Sequence, residues 1–130
     1  FHCRKNKIQI TCVVDGKLLD FIHVMDICSI FGNALDNAIE HVILIPEEEK
    51  RLIHMSVSAK KNFVFIKIEN YCESEIIKNQ HSLITTTKAD KQNHGFGLRS
   101  ICAAAEKYGG SVSFEQVQNW FELKILLPRG

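Results

Sequence analysis

Two asparagines, Asn33 and Asn37, are the residues of this sequence whose type and spacing best suit chemistry. On an α-helix, residues four positions apart point about 40° apart, so both amides would lie on one side. Asparagine is a middling helix former because its side chain competes for backbone hydrogen bonds, and two in register therefore need a reason. Considered with this helix alone, a ligand site and a solvated polar surface explain the pair equally well.

The helix that carries this pair is predicted over residues 25–44. Asp26 suits a cap or a first turn, and Pro46 follows the predicted end. The two asparagines fall on the polar edge of the apolar face, together with Asp26 and Glu40. That apolar face has helical spacing and comprises Ile27, Ile30, Phe31, Ala34, Leu35, Ala38 and Val42.

Two other segments end in residues that suit a ligand. The strand-like run 66–69 ends at Asn70, whose amide can donate and accept, although a plain strand end is the simpler explanation of this segment alone. Gly95 and Gly97 open a second predicted helix, where glycines let a backbone approach an anion and the helix N-terminus offers N–H groups. A single GxG is more often a turn, so its weight comes from its place between a polar segment and an amphipathic helix.

The remaining pattern predicts the elements that position these residues. Strands are predicted at 7–14 and, more weakly, 18–23; hairpins are predicted from 52–59 with 63–69 and from 111–116 with 120–127; a helix is predicted at 98–108. Residues 47–51 read as a solvated loop. The periodic pattern is lost over residues 70–94: a turn of helix is possible at 71–83, and the polar, aperiodic residues 85–93 are typical of a lid, a binding loop or a disordered segment. The prediction is an α+β, two-layer α/β sandwich, with a mixed, mostly antiparallel sheet covered on one face by helices.

Composition sets the limits on the class of protein. The chain has 130 residues, 45% hydrophobic and 24% charged, which suits one domain over 1–130. Its net charge of +1 gives no sign of a nucleic-acid partner, and no apolar run approaches the about 20 residues that span a bilayer. Five scattered cysteines without a CxxC pair favour reduced cytoplasmic thiols. Since it begins Phe–His–Cys, we expect the domain to be the C-terminal part of a longer protein.

The motifs together resemble the ATP-binding domains of the GHKL superfamily, which includes gyrase, chaperone, histidine-kinase and MutL proteins. Asn33-xxx-Asn37-Ala38 resembles the N box of sensor histidine kinases, Ile66-x-Ile68-x-Asn70 stands where the first glycine box lies, and residues 94–99, HGFGLR, resemble the second. The resemblance covers nearly the whole chain. It is greatest to the quorum-sensing peptide-receptor kinases, which share an Asp-Asn-Ala-Ile-Glu N box and a Thr-x-Lys-rich lid before HGxGL.

The resemblance implies a Bergerat-type fold that binds ATP and magnesium. Asn37 would be the magnesium ligand, Asn33 would support the phosphates or the metal's waters, and Asn70 would accept from the adenine amino group. His41 falls where many relatives place an aromatic residue beside adenine, although a surface helix residue is a slightly better explanation. The remaining implied nucleotide-binding residues are Thr87, Lys88, His94, Gly95, Phe96, Gly97, Leu98 and Arg99.

Two departures from the family pattern affect the implied activity. The usual DxGxG is Asn70–Tyr71–Cys72–Glu73–Ser74, which puts the affinity for ATP in question. Asn33 stands where the superfamily's hydrolases have a general-base glutamate, so transfer to a protein nucleophile is favoured over hydrolysis. The expected protein is a histidine kinase catalytic domain, with no catalytic residue assigned.

Its expected partner is a phosphoacceptor dimerisation domain of the same parent, and a response regulator acts indirectly. We expect the fragment to be monomeric and inactive in autophosphorylation when alone, and to be the cytoplasmic domain of a membrane-anchored parent. The alternatives are an anti-sigma-factor-type serine kinase and a degenerate nucleotide-binding or interaction module without transfer activity.

Overall fold

The computed structural model describes residues 7–73 and 96–129 of the chain. Within them one mixed sheet has the strand order β1-β2-β3-β5-β4. The pair β1–β2 is parallel, and the other three pairs are antiparallel. The strands are β1 (Gln9–Val14), β2 (Leu52–Lys60), β3 (Phe63–Tyr71), β4 (Ser111–Val117) and β5 (Trp120–Pro128).

Two α-helices pack against one face of this sheet. Helix α1 (Val24–Val42) contacts β2 and β3, and helix α2 (Phe96–Lys107) contacts α1, β4 and β5. Helix α1 is capped by His23, whose Nδ1 accepts a hydrogen bond from the Met25 N–H over 3.1 Å, while Asp26 lies in the first turn. The predicted two-layer α+β sandwich, with a mostly antiparallel sheet covered on one face by helices, is confirmed.

The core lies between the helices and the sheet because alternate strand residues point toward the helices. In β3, Val64, Ile66 and Ile68 are buried, and the same alternation places Asn70 on that face. In β5 the buried set is Phe121, Leu123, Ile125 and Leu127. Asn70 therefore ends a buried apolar row rather than a solvated one.

Both predicted hairpins form, with a residue of positive φ in each turn. Lys61 has φ 57° between β2 and β3, and Gln118 has φ 55° between β4 and β5. The short strand predicted at 18–23 is wrong, because Gly16–Leu19 forms a 3-10 turn in which the Asp15 carboxylate accepts from the Lys17 N–H. The charged segment predicted as a plain loop also contains a 3-10 turn, Glu48–Lys50.

The described cysteines form no disulfide with one another, and they lie in differing environments. Cys12 and Cys28 are exposed, Cys72 is buried and Cys102 is half-buried. Burial, with the Glu106 carboxylate as a second cause, raises the pKa of the Cys102 thiol.

Among the described residues, neither helix has the length and apolar character needed to cross a membrane.

Candidate nucleotide-binding site

Asn37 carries a buried amide with no recorded hydrogen-bond partner among the described residues. Its exposed fraction is 8%, and it lies on the inner side of α1 with Ala34 and Ala38. Within residues 7–73 and 96–129, the structure records no hydrogen bond to this side chain. A buried polar group left unsatisfied costs about 1–3 kcal/mol, and such groups are rare in native proteins. The Asn37 amide is therefore a candidate for contact with a ligand.

Asn33 lies one turn earlier and is held in a fixed orientation. Its Nδ2 donates to the Ser29 carbonyl oxygen over 2.7 Å, while its Oδ1 lies next to Gly97 at the start of α2. A Cβ added to Gly97 would stand 3.3 Å from that Oδ1. The two predicted motifs on α1 and α2 thus meet side by side, and a larger residue than glycine would crowd the contact.

Asn70, at the end of β3, is 1% exposed and both ends of its amide are used. Its Oδ1 lies 3.2 Å from His41 Nδ1, and its Nδ2 donates to the Tyr71 carbonyl oxygen over 3.2 Å. The His41 ring packs perpendicular to the Phe121 ring, with centroids 5.0 Å apart. The structure thus joins His41 of α1, Asn70 of β3 and Phe121 of β5 into one cluster.

A clamp at the opposite end of the helix pair joins α1 to the end of α2. The Tyr108 hydroxyl donates to Asp26 Oδ2 over 2.5 Å and accepts from the His23 N–H over 2.9 Å. Lys107 Nζ lies 3.0 Å from the same carboxylate oxygen. The hydrogen bond from Tyr108, followed by that from Lys107, holds the pKa of Asp26 below its ordinary value. The clamp fixes how the two helices that carry Asn33 and Gly97 sit against each other.

A family model described as the GHKL domain matches residues 22–128 of the chain. The chain belongs to the GHKL domain family. The matched span contains α1, the end of β3 and α2, which are the three elements that carry the asparagines and Gly97. A search of curated protein sequences gave no match.

Solved structures share the architecture of this GHKL domain over almost its whole length. The nucleotide-free catalytic domain of the histidine kinase ThkA superposes with a TM-score of 0.77 and 20% identity, covering 98% of this chain and 83% of that one. The mycobacterial sensor histidine kinase MprB gives a TM-score of 0.68 and 15% identity, covering 98% of this chain and 86% of that one. The Acinetobacter baumannii histidine kinase AdeS gives 0.68 and 14%, covering 98% of this chain and 57% of that one. The domain therefore has the fold of histidine kinase catalytic domains.

The predicted site residues of the GHKL domain divide into two groups. The structure places Asn33, Asn37, His41, Asn70 and the first turn of α2 around the inner side of α1. In that first turn Leu98 is buried, Gly97 is half-buried and Arg99 is exposed. Thr87, Lys88, His94 and Gly95 lie outside the described residues, as does the predicted lid. Among the described residues no cluster of histidine, cysteine or carboxylate side chains could hold a metal ion without a ligand's help.

Three residues of this region were not predicted from the sequence. Ser29 could have been found, because it lies one helical turn before Asn33 and so under its amide. Phe121 and Tyr108 gave no local signal, since their partners in the site are on distant elements. The environment of Asn70 also differs from the plain strand end considered from the sequence, because the amide is buried and its Oδ1 lies 3.2 Å from His41 Nδ1.

Proposed function

We propose that this GHKL domain binds Mg-ATP and donates the γ-phosphoryl group to a histidine outside the described chain. The observation that carries the proposal is the buried Asn37 amide, which has no hydrogen-bond partner among the described residues. A buried polar group of this kind calls for an explanation, and a bound ion or ligand is one that fits an amide oxygen. The position of Asn37 in the N-box-like sequence on α1 supports a nucleotide as that bound state.

Magnesium fits the chemistry of this amide. It prefers oxygen ligands, keeps several waters and is commonly held by one or two protein oxygens together with phosphates. The Asn37 Oδ1 is such an oxygen, and the absence of a carboxylate cluster in the described part of the chain agrees with a metal that arrives with its nucleotide. When bound, magnesium would offset the negative charge on the transferring phosphoryl group.

The phosphates would lie at the start of α2. Its first N–H groups have no intrahelical partner, and the helix dipole favours an anion there. Because Gly97 has no side chain, the backbone at the start of α2 can lie close to Asn33 on α1. The Arg99 side chain is exposed on the same turn and could offset phosphate charge. We assign the base to the other end of the site, with Asn70 and His41.

Transfer of the phosphoryl group to a protein nucleophile is favoured over hydrolysis because residue 33 is an asparagine, whose side chain is an amide. Hydrolysis needs a base that takes a proton from water, and an amide has no such basicity. The Asn33 amide is moreover tied to Ser29 and so has a positioning role. The acceptor histidine would attack the γ-phosphorus in line, while the bond to the β–γ bridging oxygen breaks and ADP leaves with the electron pair. The domain itself would contribute binding, orientation and charge stabilisation.

We infer the parent protein and its partners from the resemblance to sensor histidine kinases. The acceptor would lie on a dimerisation domain of the parent protein, a response regulator would receive the phosphoryl group afterwards, and the quorum-sensing peptide-receptor kinases are the proposed subgroup. The domain would be the cytoplasmic, C-terminal part of a membrane-anchored kinase.

Calorimetric titration with Mg-ATP, followed by labelling with radioactive γ-phosphate, tests this proposal. The 130-residue chain should bind Mg-ATP and fail to label itself, and a longer version with the upstream segment should label with an acid-labile phosphate. Binding without any labelling of the longer protein would indicate a nucleotide-binding module. Acid-stable label on serine of a separate protein would indicate a serine kinase, and absence of Mg-ATP binding would contradict the proposal altogether.

A further inference from the structure

Asparagine at the base-reading position raises a problem of specificity. A carboxylate only accepts hydrogen bonds, whereas an amide accepts at Oδ1 and donates at Nδ2. Adenine offers an amino donor at its six-position, and guanine offers a carbonyl acceptor there. An amide that could turn over would satisfy either base, so Asn70 alone would not discriminate between ATP and GTP.

The surroundings of Asn70 fix which end of the amide is which. The Tyr71 carbonyl oxygen can only accept, so the amide atom 3.2 Å from it must be the nitrogen. The oxygen is then the atom that faces His41 Nδ1 across 3.2 Å, and a hydrogen bond at that distance requires Nδ1 to carry a hydrogen. Turning the amide over would oppose two oxygens at Tyr71, and it would require the other tautomer of His41, with no hydrogen on Nδ1.

The His41 ring is itself held in place. It stands perpendicular to the buried Phe121 ring at 5.0 Å between centroids, and His41 lies on α1, whose register is fixed by the clamp at its start. A carbonyl oxygen has two lone pairs, so Oδ1 can accept from His41 and from one further donor. Among the described residues no second donor to Oδ1 is recorded, and we assign that place to a ligand that reaches this buried position.

We propose that His41, in the tautomer with a hydrogen on Nδ1, acts with the Tyr71 carbonyl as a positioning residue: it holds the Asn70 amide in the orientation that accepts from a base and thereby strengthens the preference for adenine over guanine nucleotides. The inference rests on the proposed function, since it assumes that Asn70 reads the base. His41 acts through Asn70 and the Tyr71 carbonyl. Asn70 and His41 together would present an acceptor to the base, as a carboxylate does without a neighbour.

Two substitutions of His41 separate its donor from its ring. His41→Phe keeps an aromatic ring against Phe121 and removes the Nδ1 hydrogen. His41→Asn removes the ring and keeps a donor nitrogen at the same distance from the helix. Calorimetric or fluorescence titration of each with Mg-ATP and Mg-GTP gives the ratio of the two Kd values, and circular dichroism melting confirms that each is folded.

The wild type should prefer ATP, His41→Phe should lower this preference about fivefold, which is the worth of one net hydrogen bond, and His41→Asn should retain it. An unchanged ratio in His41→Phe, or equal losses of affinity for both nucleotides, would overturn the inference while leaving ATP binding by the wild type in place. A wild type that binds neither nucleotide would overturn the proposed function first and this inference with it.

Nitrogen NMR of the histidine rings gives a readout that needs no nucleotide. In the ligand-free wild type at pH 8, His41 Nδ1 should carry a hydrogen, because Asn70 Oδ1 accepts from it. An unprotonated Nδ1 would overturn the inference. In a Tyr71→Phe variant, which keeps the backbone carbonyl, the same signal should persist.

Discussion

Replacement of Asn37 by alanine separates a ligand-binding amide from a structural one. Without nucleotide, truncation removes a buried amide that has no recorded partner in the described part of the chain and whose desolvation costs about 1–3 kcal/mol, and it loses packing contacts worth a similar amount. Alanine is also the better helix former by roughly 0.5 kcal/mol. The free energy of unfolding of the ligand-free protein should therefore change by about 1 kcal/mol or less, despite burial of the residue at 8% exposure.

With nucleotide, the stabilities of the wild type and Asn37→Ala should differ clearly. At a concentration a hundredfold above Kd, a ligand stabilises the folded wild type by about 2.7 kcal/mol, which for a chain of this size raises Tm by roughly 10 °C. Asn37→Ala should show no such rise, because its metal ligand is gone. Melting curves with and without Mg-ATP, read by circular dichroism, measure both effects in one experiment.

Asp36→Ala is the matched control, since Asp36 is exposed on the same helix turn. It should melt like the wild type and keep the full rise with Mg-ATP. A loss of more than about 2 kcal/mol in ligand-free Asn37→Ala would mean that the amide has a structural partner. A wild-type rise in Tm of Asn37→Ala with Mg-ATP would refute the magnesium role.

Two further predictions concern the scaffold. The pKa of Asp26 is lowered from 3.8 chiefly by the Tyr108 hydrogen bond, so the carboxylate stabilises the fold above that pH and its contribution is lost as pH falls through the lowered pKa. Asp26→Asn should thus lower Tm at pH 7, with the gap to the wild type closing in melts below about pH 3.8; a gap independent of pH would contradict this. A Cβ on Gly110 would stand 2.4 Å from the Leu126 carbonyl oxygen. A Cβ on Gly32 would have no atom of the described neighbouring residues within 4 Å. Gly110→Ala should therefore lower the free energy of unfolding by about 2 kcal/mol or more in urea melts, and Gly32→Ala should raise it by about 0.5–1 kcal/mol; equal effects would refute the steric argument.

Local pattern was enough to predict most elements of this domain. Helix α1 and the two hairpins follow from apolar spacing, because a helix face and a strand face repeat at different periods that a short window reveals. The pattern failed at residues 18–23, where the Asp15 carboxylate draws the following backbone into a 3-10 turn instead of a strand. The GHKL resemblance likewise rests on short motifs that can be read directly from the sequence.

The character of the site depends on contacts between residues far apart in the chain. Sequence placed Asn37 on a helix edge, but only packing of α1 against the sheet buried its amide, which has no recorded partner within residues 7–73 and 96–129. His41 and Asn70 are 29 residues apart, and Asp26 and Tyr108 are 82 apart, so no local pattern could join them. Such pairs are decided by the sheet order and the helix packing, because a side chain's hydrogen bonds are set by whichever neighbours the fold brings within about 3 Å. The sequence determined which polar groups this protein has, and the tertiary structure decided which neighbours hold the Asn33 and Asn70 amides, because the folded chain brings those neighbours within hydrogen-bond distance.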